Sequence, residues 1–244
     1  MRLLIDAGNT RVKWQLMDGS ITVLEGVGAL DSDPFANLSD VGGKISRVAV
    51  STVASEARRC ELAEALSCYT PVPPCFYWSE VERAGLVNAY EDHGKMGADR
   101  WHAMYGAWTR HRGGFAVVDA GSAITIDYVG AGGKHLGGYI LPGRRMMLRS
   151  LRNDAARIGF EDHRSDAGEP GASTTECVHH GLFWLWQSIA DRIHHDCSAQ
   201  AIGRVLVTGG DASGILAAGL EAEHLPDLVL QGLAAIDAEA VGRS

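Results

Sequence analysis

Two short segments of this chain carry the same residue types after the same kind of apolar run. Asp6-Ala7-Gly8 follows Arg2 to Ile5, and Asp119-Ala120-Gly121 follows Phe115 to Val118. A glycine in such a turn lets the backbone approach a ligand closely or take positive φ. Successive backbone N–H groups there form a concave cradle for an anion. In the first turn Asn9 and Thr10 add side-chain donors, and Lys13 places a point charge within reach of a phosphate. Asp6, at a strand end, suits Mg²⁺, held mostly through water because that ion keeps much of its hydration shell. The chemistry implied is a grip on a nucleotide's phosphates between the two turns. One copy alone is equally a plain hairpin with an Asp-Gly turn. Two copies set close to half the chain apart argue against that plain reading. Thr208-Gly209-Gly210-Asp211 is a third glycine turn, suited to a planar base or ribose against the backbone, though an ordinary strand-to-helix turn reads the same way locally.

The elements that must position these turns also repeat. Strands are predicted over Arg2–Ile5, Val12–Met17 and Ile21–Leu24, with Asp18-Gly19 as a hairpin signal. Strands over Phe115–Val118, Ile124–Val129 and Leu136–Leu141 restate that order. Ser46–Thr52 reads as a further strand, and Glu56–Cys68 and Gly97–Arg110 read as helices. Trp101, Met104, Tyr105 and Trp108 mark one apolar face of the second helix. Later helices are predicted over Met146–Arg157, Thr174–His195, Ala212–Leu220 and Gln231–Val241. Strands are predicted over Arg204–Val207 and near Leu228–Leu230. The repeat places a boundary near residues 112–116, giving halves 1–114 and 115–244.

Composition narrows the classes. The 244 residues are 46% hydrophobic, enough for a packed globular protein rather than a disordered one. A formal net charge of −8 removes the electrostatic footprint of non-specific nucleic-acid binding, apart from a small basic cluster at Arg110, His111 and Arg112. No apolar run approaches a membrane span and no signal-peptide core follows Arg2, so a cytoplasmic protein is expected. The odd set Cys60, Cys68, Cys75, Cys177 and Cys197, without a CxxC pair, reads as reduced packing residues. His179-His180 and His194-His195 invite a zinc reading, but on one helix the pairs stand roughly 22 Å apart, too far to share one metal.

Taken together the pieces resemble a known family. Paired Asp-x-Gly hairpins with a Gly-Gly turn are similar to the phosphate and adenosine motifs of the superfamily that holds actin, the Hsp70 chaperones, hexokinase and acetate kinase. Within it the chain most resembles type III pantothenate kinase. The matching segments are Asp6 to Lys13, Asn88-Ala89-Tyr90, Gly97-Ala98-Asp99-Arg100, Asp119 to Asp127, Gly137 to Gly143, Thr174 and Gly181. They run in family order over nearly the whole chain.

The resemblance implies an α/β fold of two ribonuclease-H-like (actin-like ATPase) domains, each a mixed central sheet with flanking helices. It implies ATP-dependent phosphorylation of pantothenate to 4'-phosphopantothenate, the first step towards coenzyme A, by a homodimer. Asp99 becomes the base that takes the substrate hydroxyl's proton or orients that hydroxyl. Arg100 becomes the fork that grips the pantothenate carboxylate, and Tyr90, Gly97, Ala98 and Thr174 line the substrate. Asp6, Ala7, Gly8, Asn9, Thr10, Arg11, Val12, Lys13, Gly121, Ser122, Gly209 and Gly210 bind ATP. Asp6 serves Mg²⁺, and Asp119 a monovalent cation, K⁺ or NH₄⁺. On local sequence alone, Asp99 reads more readily as an acidic residue placed by the helix dipole. The chain departs from the family at Ser122, where threonine is common. It departs also at His93 and Met96 in the Glu91–Met96 loop, and at Ser173, where asparagine is usual.

Two other readings share these residues. One is a different small-molecule kinase or a phosphatase of the same superfamily. The other is a non-enzymatic accessory factor of transcription, against which the acidic balance argues.

Overall fold

The computed structural model describes residues 1–155, 158–162 and 165–242. The chain divides into two compact units: residues 1–111 joined by the C-terminal stretch from Asp227, and residues 112–226.

In the first unit, β1 (Arg2–Ala7), β2 (Val12–Asp18) and β3 (Ile21–Gly28) form an antiparallel meander. Next come β4 (Arg47–Thr52), helix α1 (Glu56–Ser67) and β5 (Pro74–Tyr77). A two-residue ladder, β6 (Glu82–Arg83) with β7 (Leu86–Val87), precedes helix α2 (Ala98–Arg110). The main sheet has the order β3-β2-β1-β4-β5, with β4 parallel to both β1 and β5. Pro71, Pro73 and Pro74 do not preclude a strand over Pro74–Tyr77. Pro74 is its first residue at the sheet edge, where a missing N–H costs least.

The second unit repeats the pattern. It holds β8 (Phe115–Ala120), β9 (Ala123–Val129), β10 (His135–Pro142), α3 (Arg144–Asp154), α4 (Thr174–Ala199), β11 (Arg204–Thr208), α5 (Ala212–Ala217) and β12 (Glu223–His224). Its sheet order is β10-β9-β8-β11-β12, the same permutation with the same strand directions. The predicted end of α3 at Arg157 lies outside the described residues. Helix α6 (Leu228–Gly242) then closes the chain.

The strand expected near Leu228–Leu230 is instead the first turn of α6. Leu228, Val229 and Leu230 are all buried, so their run carries no periodicity to tell strand from helix. The pairing role falls earlier, to Glu223 and His224 beside β11.

Each sheet is covered by apolar helix faces. In the first unit Leu3, Ile5, Val48 and Val50 pack with Leu62 and Leu66 of α1. On the opposite face Leu4 and Ala49 pack with Leu230 and Leu233 of α6. Helices α2 and α6 meet through glycines. A Cβ on Gly232 would stand 1.8 Å from the His102 carbonyl oxygen, and one on Gly106 would stand 2.6 Å from that of Leu228. Asp237 fastens α6 to the sheet. Its fully buried carboxylate accepts from the Arg47 guanidinium, from the Tyr77 hydroxyl at 2.7 Å and from Arg2 at 3.4 Å. In the second unit Val118, Ile124 and Ile126 pack with Phe183, Trp186 and Ile193 of α4 and Ile215 of α5.

Candidate functional site

In the first unit β1 ends where Asp6 pairs with Lys13 on one side and with Ser51 on the other. Paired residues on neighbouring strands leave the sheet on the same face, so Asp6, Lys13 and Ser51 form one row. The turn that follows is tight: the Gly8 N–H donates to the Arg11 carbonyl at 3.0 Å. Ala7 and Val12 are buried beneath it, while Asn9, Thr10 and Arg11 are exposed. The Thr52 hydroxyl donates to the Ala7 carbonyl at 2.9 Å and anchors the turn's base. The Lys13 ammonium stands 2.7 Å from the Asp227 carboxylate, just ahead of α6, a neighbour that no local pattern announced.

The second group of the same unit lies at the start of α2. Gly97 is the N-cap and Asp99 stands in the first turn, where a negative charge complements the helix dipole. The Arg100 N–H donates to Asp99 Oδ1 at 2.7 Å. A Cβ on Gly97 would stand 2.6 Å from that oxygen and 3.2 Å from Val53 Cγ1, so glycine leaves room for the carboxylate to curl over the helix end. Arg100 is buried, and its Nη1 donates to the Tyr90 hydroxyl at 2.8 Å. Its guanidinium carbon lies 5.7 Å from the Tyr90 ring centre. Asn88 holds Tyr90 in turn, accepting the Tyr90 N–H at 3.0 Å and donating to the Glu80 carbonyl at 3.1 Å. Tyr90, Asp99 and Arg100 are thus brought together. Asn88 is the supporting residue whose role sequence reading passed over, although it stands in the matched segment.

In the second unit the glycine turns converge. Asp119 pairs with Thr125 of β9 and with Thr208 of β11. Gly209 follows with φ +94°, and a Cβ there would stand 2.4 Å from Asp119 Oδ1 and 2.5 Å from the Ala120 carbonyl oxygen. The Asp211 N–H donates to that carbonyl at 2.8 Å. The Gly121 N–H donates to the Ala123 carbonyl, and the Gly143 N–H to the Ser122 carbonyl, each at 3.0 Å. Asp119 to Ser122, Gly209-Gly210 and Gly143 therefore build one backbone cluster. A Cβ on Gly210 would meet nothing within 4 Å.

Thr174 opens α4, outside this cluster. Ser173 caps the helix, with Glu176 completing a capping box. Thr174 lines a cavity of about 590 Å³ with Leu151, Ile158, Cys177, Val178 and Leu182. Three of the four paired histidines have structural partners. His179 Nε2 and His180 Nδ1 lie 2.8 Å from the Glu161 and Glu169 carbonyl oxygens, and His194 Nε2 accepts from the Glu221 N–H at 3.0 Å. Among the four helical tryptophans, Trp101, Trp108 and Trp186 are core residues and Trp184 is exposed.

The donor chemistry fits hard cations accompanying a nucleotide. Among the described residues no group of three or more His, Cys, Asp or Glu side chains could hold a metal. A lone carboxylate such as Asp6, with water and substrate phosphates supplying the other oxygens, is a common Mg²⁺ arrangement. Asp119 carries a carboxylate of the kind a monovalent cation could use, while the Ala120 carbonyl already accepts the Asp211 N–H.

Comparison with known proteins shows what the chain is similar to. The family described as Type III pantothenate kinase matches residues 2–196. A protein named Type III pantothenate kinase from Marinobacter nauticus is 52% identical over 242 residues, covering 99% of this chain and 100% of its own. A solved structure from Campylobacter jejuni, assigned to the Baf family of transcriptional activators, matches with a TM-score of 0.61 at 22% identity, over 98% of this chain and 99% of its own. A Sinorhizobium meliloti protein described as a 2-dehydro-3-deoxygalactonokinase matches with a TM-score of 0.57 at 11% identity, over 99% and 97%. The two structural likenesses speak for the fold alone. Each unit is a mixed five-stranded sheet flanked by helices, the α/β fold that the resemblance implied.

Proposed function

The chain belongs to the type III pantothenate kinase family, and on that premise we propose that it transfers the γ-phosphoryl group of ATP to the primary hydroxyl of pantothenate, giving 4'-phosphopantothenate. The observation that carries the reading within this chain is the contact of Arg100 with Tyr90 beside Asp99. A buried guanidinium backed by a phenol is a fork for a carboxylate, and pantothenate has one. The adjacent Asp99 carboxylate then faces the other end of a bound substrate, where it accepts or orients the proton of the attacking hydroxyl.

The phosphate turns supply position and charge. Gly8 shapes the turn, its N–H on the Arg11 carbonyl, while the backbone N–H groups of Asn9 and Thr10, with Lys13, hold phosphate oxygens, and Asp6 would hold Mg²⁺ through water. That ion, when bound, supplies positive charge against the charge developing on the phosphoryl oxygens. Gly121 and Ser122 bind further phosphate oxygens. Gly209 and Gly210 take the adenosine, and Asp119 would hold K⁺ or NH₄⁺. Thr174 contributes a hydroxyl to the substrate.

A homodimer in the cytoplasm completes the reading. Trp184, Tyr139 and Ile140 leave large apolar surface exposed, as a contact surface would. Among the described residues no helix is long and apolar enough to cross a membrane.

The decisive experiment is turnover of ATP with pantothenate, against glycerol, acetate and hexoses, for the wild type and Asp99→Asn. Pantothenate-dependent turnover falling by at least ~10²-fold in the variant is expected. Absence of any pantothenate-dependent turnover in the wild type would overturn the reading.

A further inference from the structure

Lys13 lies on β2, paired with Asp6 of β1 at the base of the first phosphate turn. Asp227 is the first residue of the chain's return to the first unit, immediately ahead of α6. The Lys13 ammonium stands 2.7 Å from Asp227 Oδ1. The two side chains are partly covered, at 35% and 28% exposure. The Asp227 carbonyl accepts from the Gln231 N–H at 2.8 Å, so Asp227 is the residue that opens α6. An aspartate at such a position commonly turns its carboxylate onto the free N–H groups of its own helix. Here Oδ1 reaches across to β2.

That contact bears on what an arriving phosphate meets. A lysine side chain is long and flexible, and fixing its ammonium in one place costs rotamer entropy. With Asp227 as partner, Lys13 has part of that ordering done before a ligand arrives, and pre-organisation of this kind raises affinity. An ammonium carries three N–H donors, so a bond to Asp227 does not by itself prevent one to a phosphate oxygen. A phosphate on the far side of the ammonium stands nearer to Lys13 than to Asp227. Water and salt therefore screen its repulsion from the carboxylate more than its attraction to the lysine.

We propose that Asp227 is a positioning residue for MgATP binding: it holds the Lys13 ammonium at the first phosphate turn before the nucleotide arrives. The role rests on the kinase reading above, in which Lys13 holds a phosphate oxygen. Asp227 acts through Lys13 and not on the nucleotide. It also ties β2 to the start of α6, so the residue that opens this helix sets the charge in the phosphate turn.

The test compares the wild type with Asp227→Asn, Asp227→Ala, Lys13→Met and the double variant Lys13→Met/Asp227→Asn. Three measurements apply: MgATP affinity by calorimetry, the urea midpoint, and the pantothenate KM. Asparagine opens a helix as well as aspartate does, so Asp227→Asn is expected to keep the urea midpoint. It loses the charge that faces Lys13, and is expected to weaken MgATP binding by roughly 3–5-fold, the measure of a partly exposed ion pair. Asp227→Ala is expected to weaken MgATP at least as much and also to lower the midpoint. Lys13→Met is expected to cost more affinity than either, and adding Asp227→Asn to it to cost no more. The pantothenate KM is expected to stay within about twofold in the Asp227 variants, since the Tyr90–Arg100 contact involves neither residue of the pair. A merely structural role would lower the midpoint and disturb both substrates together. Unchanged or tighter MgATP binding by Asp227→Asn would overturn the proposal, as would an equal further loss in the Lys13→Met background. If Asp227→Asn does not fold, Asp227→Ser, another helix-opening residue, is judged by the same criteria. Should the wild type bind MgATP but phosphorylate no pantothenate, the kinase reading fails, while the affinities still judge Asp227. A wild type that binds no MgATP overturns both.

Discussion

Gly209 presses its backbone against Asp119 so closely that a single added methyl group would lie 2.4 Å from the carboxylate oxygen. The two residues are far apart in sequence, and β8 and β11 bring them side by side. Positive φ at Gly209 and this contact each call for glycine, and Gly210, one residue on, has open space around it.

Gly209→Ala is therefore expected to destabilise the protein by about 2–4 kcal/mol, through a strained backbone and a displaced Asp119. Gly210→Ala is expected to change stability by less than about 1 kcal/mol. Urea unfolding of both variants checks this, and equal losses would refute it.

Arg100→Lys keeps the charge but removes the fork that reaches the Tyr90 hydroxyl. The expected result is a pantothenate KM raised about 10–100-fold, the cost of a lost charge-assisted bond, with a smaller change in the KM for ATP. Steady-state kinetics with each substrate varied separate the two.

Asp237 is fully buried and faces Arg2, Arg47 and Tyr77. The pair with Arg47 holds its guanidinium pKa above the ordinary value, and burial with Asp237 raises that of Tyr77. Asp237→Ala leaves these groups uncompensated. Because both arginines are about a third exposed, the expected loss is about 3 kcal/mol, the low end for a broken buried pair. Denaturant midpoints measure it, and a loss below about 1 kcal/mol would show that α6 is held by its apolar face alone.

Stability should also depend on pH through His102. Burial holds its folded pKa at about 3, below the ordinary value of 6.5, so between these values the unfolded chain binds the extra proton. Stability is then fully present above the ordinary value and is lost as pH falls towards the folded one. The slope is at most about 1.4 kcal/mol per pH unit. Melting temperatures from pH 7 to 4 are expected to fall more steeply for the wild type than for His102→Leu. Parallel curves would assign the acid sensitivity to other groups.

What the sequence alone determined was local and repeated. A glycine after a strand-end aspartate, a period of two or of 3.6, and an Asp-Gly hairpin signal act within a few residues. The meanders at β1–β3 and β8–β10, the turns at Asp6 and Asp119 and the helix opening at Gly97 were therefore legible before any contact was known. The roles of Tyr90, Asp99 and Arg100 came by resemblance, and their meeting became visible only as hydrogen bonds. Tertiary structure alone decided the rest. Leu228–Leu230 became helix because an unbroken apolar run has no period, and burial on α2 and the first sheet chose its form. The return of α6 to the first unit, Asp237 on Arg47, Gly232 on the His102 carbonyl, Lys13 on Asp227 and His102 on Ser51 all join residues remote in the chain. Such partners are selected by how elements pack, not by any short pattern, and Asp6 gains its buried Ser51–His102 neighbours only once β1, β4 and α2 have closed around them.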